Sequence, residues 1–419
     1  MKRAAGALVL AGLVLVLALA TGFSLFYRLF YVLALAMVGS GLWAWLNLRW
    51  LEVRVERRAR QVEVGGQLVE RMTVRNKGWL PKPWLEVREL TDMPGHEPGM
   101  TVSLGGGAFR SWRTVAPCRR RGSYTLGPVR VATGDPLGLF RLEASFCDTQ
   151  RLVVLPAVVP LPAFVLPAAD LPGEGPLRAR PHHVTPHAAT VREYAPGDSV
   201  KKVHWPTTAR LTRLMVKEFD PGFTSDVWVL VDMQERVQVQ DGSDATDELA
   251  VTIAASVSRR LLNLRLSVGL AASGSRFALL PPDRTEGHFG QLLETLAQLR
   301  ADGNLPIREA IAYLEPRLSR HTTLVVVTPS VDPGWPAALD PLRRRGVRWV
   351  AVSIDPASFG GSDSAAPLLR SVAERGVPIY LVRKGEDLRI ALATPHLWSG
   401  NGPGPLQGRT RGVLERAVA

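Results

Sequence analysis

The chain has 419 residues, 46% of them hydrophobic and 21% charged, with a formal net charge of +13. That length exceeds one small domain, and the apolar content excludes a disordered chain. Two cysteines exclude a disulfide-stapled scaffold and the common zinc-finger spacings.

The first predicted elements are two apolar runs. Ala4–Ala20 and Leu29–Leu48 carry no charge and are each near the ~20 residues that cross a bilayer as a helix. Hydrocarbon forces backbone groups to pair internally, so residues 1–48 are expected to form a transmembrane helical hairpin. Lys2 and Arg3 precede the first run, while Arg49, Arg54, Arg57, Arg58 and Arg60 follow the second. The positive-inside rule then puts both ends in the cytoplasm, at the cytoplasmic membrane. Trp43, Trp45 and Trp50 suit an aromatic belt at the exit. A cleaved signal peptide is the competing reading, but the second apolar run follows at once and no clean small-x-small site intervenes.

Residues 49–155 read as a β-sandwich. Leu51, Val53 and Val55 alternate with charged residues, Met72 and Val74 with Arg71, Thr73 and Arg75, and Leu85 and Val87 with Glu86 and Arg88. Gly65-Gly66, Asn76-Lys77-Gly78 and Gly105-Gly106-Gly107 punctuate them, which predicts about seven strands in the manner of such sandwiches. Cys118 and Cys147 are expected to be ordinary buried thiols in a reducing compartment. Arg119-Arg120-Arg121 reads as a solvated turn, because no aromatic residues interleave to stack on nucleobases.

Residues 156–222 form a Pro-rich linker or strap. Its His182, His183 and His187 lack a nearby Cys or Asp that would complete a zinc set. Residues 223–395 alternate buried strands (Asp226–Asp232, Leu266–Ala272, Thr323–Thr328, Val347–Ile354, Pro378–Val382) with helices such as Glu248–Leu264 and Phe289–Arg300. This pattern predicts an α/β doubly wound, mostly parallel sheet whose ligands would sit at the strand carboxyl ends. The whole is an α+β multidomain chain, closed by a Gly/Pro-rich tail at 396–419 that is expected to be flexible.

The most specific stretch runs from Val191 to Arg210. Arg192, Tyr194, Gly197, Asp198, His204, Trp205 and Arg210 stand there at the spacing R-x-Y-x-x-G-D-x-x-x-x-x-H-W-x-x-x-x-R. With the earlier landmark Asp135-Pro136-Leu137-Gly138-Leu139-Phe140-Arg141, it resembles the domain of unknown function 58 family. That resemblance implies a von Willebrand factor A-like C-terminal domain and a MoxR-type AAA+ ATPase as partner. It establishes no enzymatic activity. Such domains usually hold Mg²⁺ through D-x-S-x-S, but here the stretch is Asp232-Met233-Gln234-Glu235-Arg236, so the site is degenerate and no metal or other cofactor is expected. Pro206 also departs from the family's usual lysine.

Read from its residues, Ala195-Pro196-Gly197-Asp198 is a turn, and Trp205 a large apolar anchor. The hallmark is then a structural clasp or a partner-binding surface. The alternative is a hydrolase or transferase using His204 and Asp198, although no G-x-S-x-G elbow and no P-loop occur. A third reading, an anionic-lipid or nucleic-acid binder, meets arginines that are dispersed and no nucleic-acid motif. The expectation is a non-enzymatic, membrane-anchored adaptor, contacting membrane lipid and no nucleic acid.

Overall fold

The computed structural model describes residues 2–166, 190–193, 205–218, 226–239, 244–320, 322–395, 397–399 and 402–404. The chain divides into two compact units, Met1–Pro156 and Ala157–Ala419. Each is described by itself.

The first unit opens with two apolar helices, α1 (Lys2–Thr21) and α2 (Ser24–Leu48). Both are long and apolar enough to cross a membrane. Gly22, in the left-handed region at φ +66°, makes the tight turn between them.

Nine strands follow: β1 (Leu51–Arg57), β2 (Gln61–Glu63), β3 (Gln67–Asn76), β4 (Lys82–Thr91), β5 (Gly99–Leu104), β6 (Phe109–Pro117), β7 (Gly122–Gly134), β8 (Arg141–Phe146) and β9 (Gln150–Leu155). That is two more than the turn signals suggest; β2, at three residues, is too short to show an alternation. One sheet has the order β1-β3-β6; the other is β2-β9-β7-β4-β5, with β8 on β7. Pairing is antiparallel apart from β2 on β9. Val53, Met72 and Val74 from one sheet share a core with Leu85, Val87, Val102, Val129 and Val131 from the other. A second cluster holds Leu68, Met93, Ala116, Cys118, Leu126, Leu152 and Val154. Cys118 is buried as expected, but Cys147 is exposed, at a positive φ just beyond β8 where the edge strand ends.

In the second unit, residues 157–166 of the Pro-rich segment pack as a strap. The Val159 amide donates to Ser256 Oγ (2.9 Å), and Arg260 donates to the Pro162 carbonyl (2.7 Å). Tyr380 Oη donates to the Val165 carbonyl (3.0 Å). Two short strands, β10 (Thr190–Glu193) and β11 (Met215–Glu218), pair antiparallel around α3 (Trp205–Leu211). The core sheet comprises β12 (Val227–Val231), β13 (Val268–Ser273), β14 (Phe277–Asp283), β15 (Thr323–Thr328), β16 (Arg348–Ile354) and β17 (Ile379–Val382), in the order β14-β13-β12-β15-β16-β17. All pairs are parallel except β13 with the edge strand β14.

The strands between the edges read as unbroken apolar runs because both faces are covered. Among their helices are α4 (Thr246–Asn263), α5 (Glu286–Gln298), α6 (Ile307–Leu314), α7 (Asp340–Arg344), α8 (Ala366–Glu374) and α9 (Leu388–Ala391). Ile307, Ile311 and Leu314 of α6, Leu342 of α7 and Leu368 and Val372 of α8 pack with Trp228, Leu230, Leu324 and Val326. The stretches 307–317 and 335–344 each divide into a short α-helix and a 3₁₀ piece, with Pro316 inside the first 3₁₀ piece and Pro336 inside the second. Within the tail read as flexible, a short pair stands at Leu397–Ser399 and Gly402–Gly404.

Candidate functional site

The ligand crevice of a parallel sheet lies beyond the strand carboxyl ends, where connections leave in opposite directions. Here that point is flanked by β13, β12 and β15. Register makes Ala272, Val231 and Val327 neighbours, so the next residue of each strand comes to one level: Ser273, Asp232 and Thr328. Thr328 Oγ1 donates to Asp232 Oδ2 (2.7 Å), and Ser273 Oγ to Oδ1 (3.4 Å). The Gln234 amide also donates to Oδ1 (3.1 Å). Asp232 is fully buried. Burial pushes its carboxyl up to about 6, against the hydrogen bonds from Thr328, Gln234 and Ser273.

A lid closes this cluster. The Gly303 amide donates to the Met233 carbonyl (3.1 Å), and the Glu235 amide to the Gly303 carbonyl (2.8 Å). A Cβ at Gly303 would stand 2.1 Å from the Ser273 carbonyl oxygen, so only glycine lets the backbone approach this closely. Gln238 Nε2 donates to the Asp232 carbonyl (2.7 Å), and Thr246 Oγ1 to Gln238 Oε1 (2.7 Å). These residues do not fit a divalent cation. A hard dication needs six or more oxygens with several carboxylates or waters among them. This cluster has one carboxylate of raised pKa, already met by three donors and sealed from solvent. Sequence reasoning found Asp232 but missed Ser273; strand register is the signal that would have found it.

A second polar cluster lies inside the first unit. Arg57 Nε donates to Glu70 Oε1 (2.6 Å), and its other nitrogens reach Glu89 and Gln150 Oε1 (2.8 Å). His96 Nε2 stands 3.1 Å from Glu70 Oε2. Burial, then the Glu70 charge, pushes Glu89 up to about 7 against Arg57; at Glu70 burial is outweighed by His96 and Arg57, and the carboxyl stays below its usual range. The ligand-type atoms of Glu70, Glu89 and His96 lie within 4.8 Å of one another. Arg57, however, already supplies the cation there. Its place just past α2 makes it a topology signal in the sequence; in the fold it is an internal counter-ion. Glu70 falls between Leu68 and Met72, and Glu89 follows Leu85 and Val87 on the inward phase, so the charges separate the two apolar clusters. An acid on the inward phase of a strand is the sequence signal for this cluster.

The landmark at Asp135–Arg141 is a closed loop. Asp135 Oδ1 accepts from the Phe140 amide (2.6 Å) and Oδ2 from the Leu137 amide (2.9 Å). Ser40 of α2 also bonds this carboxylate; burial alone would raise its pKa, and these bonds hold it below the usual range. Further along α2, Asn47 Nδ2 donates to Thr133 Oγ1 (3.5 Å), and buried Lys82 donates to the Leu46 carbonyl. Lysine at a helix C-terminus satisfies an orphan carbonyl and meets the negative end of the dipole.

Of the hallmark, Tyr194, Gly197, Asp198 and His204 lie outside the described residues, as do His182, His183 and His187. Arg192 lies on β10, opposite Val216. Trp205 opens α3 and is 62% exposed, so it is not a buried anchor among the described residues. Arg210, in the last turn of α3, is exposed too.

Two apolar N-terminal helices, several sheets and a mixed α/β composition define the class of this protein. Residues 190–358 match the family described as "Protein of unknown function DUF58", the family that the hallmark resembles. "Uncharacterized protein YeaD" of Bacillus subtilis (strain 168) is 28% identical over 314 residues, covering 72% of this chain and 75% of that protein. An uncharacterized Mycobacterium tuberculosis protein (strain ATCC 25618 / H37Rv) is 27% identical over 172 residues, 39% of this chain and 52% of its own length. Among solved structures, the CARDB domain of a Pyrococcus furiosus protein matches at TM-score 0.20 and 20% identity, over 25% of this chain and 87% of that one. Proximal thread matrix protein 1 from the mussel byssus matches at TM-score 0.31 and 10% identity, over 41% and 46%.

Proposed function

We propose that this protein is a membrane-anchored, non-enzymatic adaptor. Its helical hairpin crosses the cytoplasmic membrane with both soluble units on the cytoplasmic side. Its α/β unit is a von Willebrand factor A-like module that engages a MoxR-type AAA+ ATPase in the assembly or remodelling of envelope or other protein complexes. The observation that carries the reading is the sealed strand-end cluster. The crevice where a parallel sheet ordinarily holds a ligand is filled by Asp232, Ser273 and Thr328 under the Gly303 lid, which leaves protein surface rather than a reactive pocket. The sheet order, with its one antiparallel edge strand, also supports the module assigned.

The test is affinity capture of the full chain from detergent-solubilised membranes. An AAA+ ATPase should co-purify, and capture should persist in the Asp232→Asn variant because no metal bridges the contact. Repeated capture without any AAA+ ATPase would remove the adaptor reading.

A further inference from the structure

The geometry points to the loop Asp135–Arg141 as a lipid-contacting wedge that seats the β unit on the bilayer, with Leu137 in the headgroup–acyl boundary. This rests on the hairpin crossing the membrane. Helix α1 has 20 residues, ~30 Å at 1.5 Å per residue, which matches the hydrocarbon thickness. Its start therefore marks the bilayer boundary on the side of the β unit. The loop stands at that level. The Arg3 guanidinium lies 3.5 Å from where a Cβ on Gly138 would be, and the Phe140 ring 3.8 Å from that of Gly41. Ser40 bonds Asp135 at the same height. Helix α2 is five residues longer than α1, and its last turns dock on the β unit through Leu46 and Asn47.

The loop's chemistry suits that depth. Pro136, Leu137 and Gly138 are exposed, and Leu137 is 60% exposed beside two apolar helices. Backbone entering an apolar medium must have its polar groups satisfied internally. Pro136 has no N–H. The amides of Leu137 and Phe140 donate to the Asp135 carboxylate, and that of Gly138 to the Asp135 carbonyl (3.1 Å). The Asp135 amide in turn donates to the Phe140 carbonyl (3.3 Å). Asp135 is thus turned inward and Leu137 outward, while the loop's other charge, the exposed Arg141 at its far end, pairs with Glu86 on the β unit (2.8 Å). Gly138, at φ +67°, allows the chain to close so tightly.

The experiment uses the full chain in phosphatidylcholine–phosphatidylglycerol vesicles. In a Cys147→Ser background, Leu137→Cys carries an environment-sensitive fluorophore; Cys118 is buried and does not compete. Lipids bear a nitroxide at a shallow or a deep acyl position. A parallel Leu35→Cys, on the exposed face midway along α2, reports the span itself. The expected result is quenching at 137 about twofold stronger from the shallow than from the deep nitroxide, as for a group ~5–10 Å into the boundary. Label 35 should show the reverse order. If 35 is quenched and 137 is not, the wedge is overturned while the hairpin stands. If neither is quenched, the transmembrane reading falls and the wedge with it. A blue-shifted label at 137 that neither lipid quenches means protein covers the loop, which also overturns the proposal.

Discussion

At the scale of single residues, the strand-end cluster makes two demands. Gly303 must have no side chain, because a Cβ would stand 2.1 Å from a backbone oxygen that cannot move aside. Gly303→Ala should cost about 3 kcal/mol and lower the melting temperature of the solubilised protein by ~6–12 °C. Gly287→Ala, on α5 with nothing near its Cβ position, should leave it unchanged or raise it. Asp232 is held at about 6 in the folded state, above the ~3.9 of an unfolded chain. The folded protein therefore binds this proton more tightly than the unfolded chain. Its contribution is fully present below pH ~4, falls as the pH rises to about 6 and is flat beyond. Asp232→Asn should abolish that decline, worth about 3 kcal/mol at most, when unfolding is followed by denaturant titration across the window.

Arg57 gives the third residue-scale test. Arg57→Met leaves Glu70 and Glu89 buried without their cation, which should destabilise the protein by about 3–5 kcal/mol. The loss should be smaller at pH 5 than at pH 8, because protonated carboxyls no longer repel. Equal losses at both values would show that the charge was not what Arg57 contributes.

At the scale of elements, most of the architecture was legible. The apolar runs gave both hairpin helices, and two periodicities separated the strands of the first unit from the helices of the second. What escaped was long-range pairing. Composition around Ser273 says nothing of its neighbour Asp232, which lies 41 positions away; only the register of parallel strands joins them. The buried ions were hidden for a similar reason. Arg57, Glu70 and Glu89 look like ordinary surface charges until each is placed on the inward phase of its own strand. The Asp135 loop was visible as a landmark, but not as the partner of Ser40. Asp135→Ala should leave the Leu137 and Phe140 amides without acceptors, costing about 1–3 kcal/mol. Limited proteolysis should then cut within 136–140, a site that resists in the parent chain.

At the scale of the whole molecule, the exposed Cys147 is a native reporter of sidedness, slow to react because its thiol donates to the Val53 carbonyl (3.3 Å) and burial pushes its pKa up. A membrane-impermeant maleimide should label it in inverted membrane vesicles and not in right-side-out spheroplasts, whereas Cys118 should react only after unfolding. Labelling in spheroplasts would reverse the proposed orientation. The charge of +13 gains a different meaning too. Part of it is internal, as at Arg57 and Lys82, where the cation neutralises buried carboxylates or a helix end instead of facing a partner.

Only Arg49 and Trp50 separate α2 from β1, and the helix end is pinned by Lys82, Asn47 and the Asp135 loop. The joint therefore has no slack. A tug on the β unit is not taken up by an unwinding tether but arrives at the hairpin as torque, with α2 as the lever arm. Tilting the β unit tilts the helix, and in the proposed bilayer setting a change in lipid thickness would reorient the β unit in return. With the hairpin in a bilayer as proposed, the first unit would act as one stiff body that couples mechanical load to the membrane in both directions.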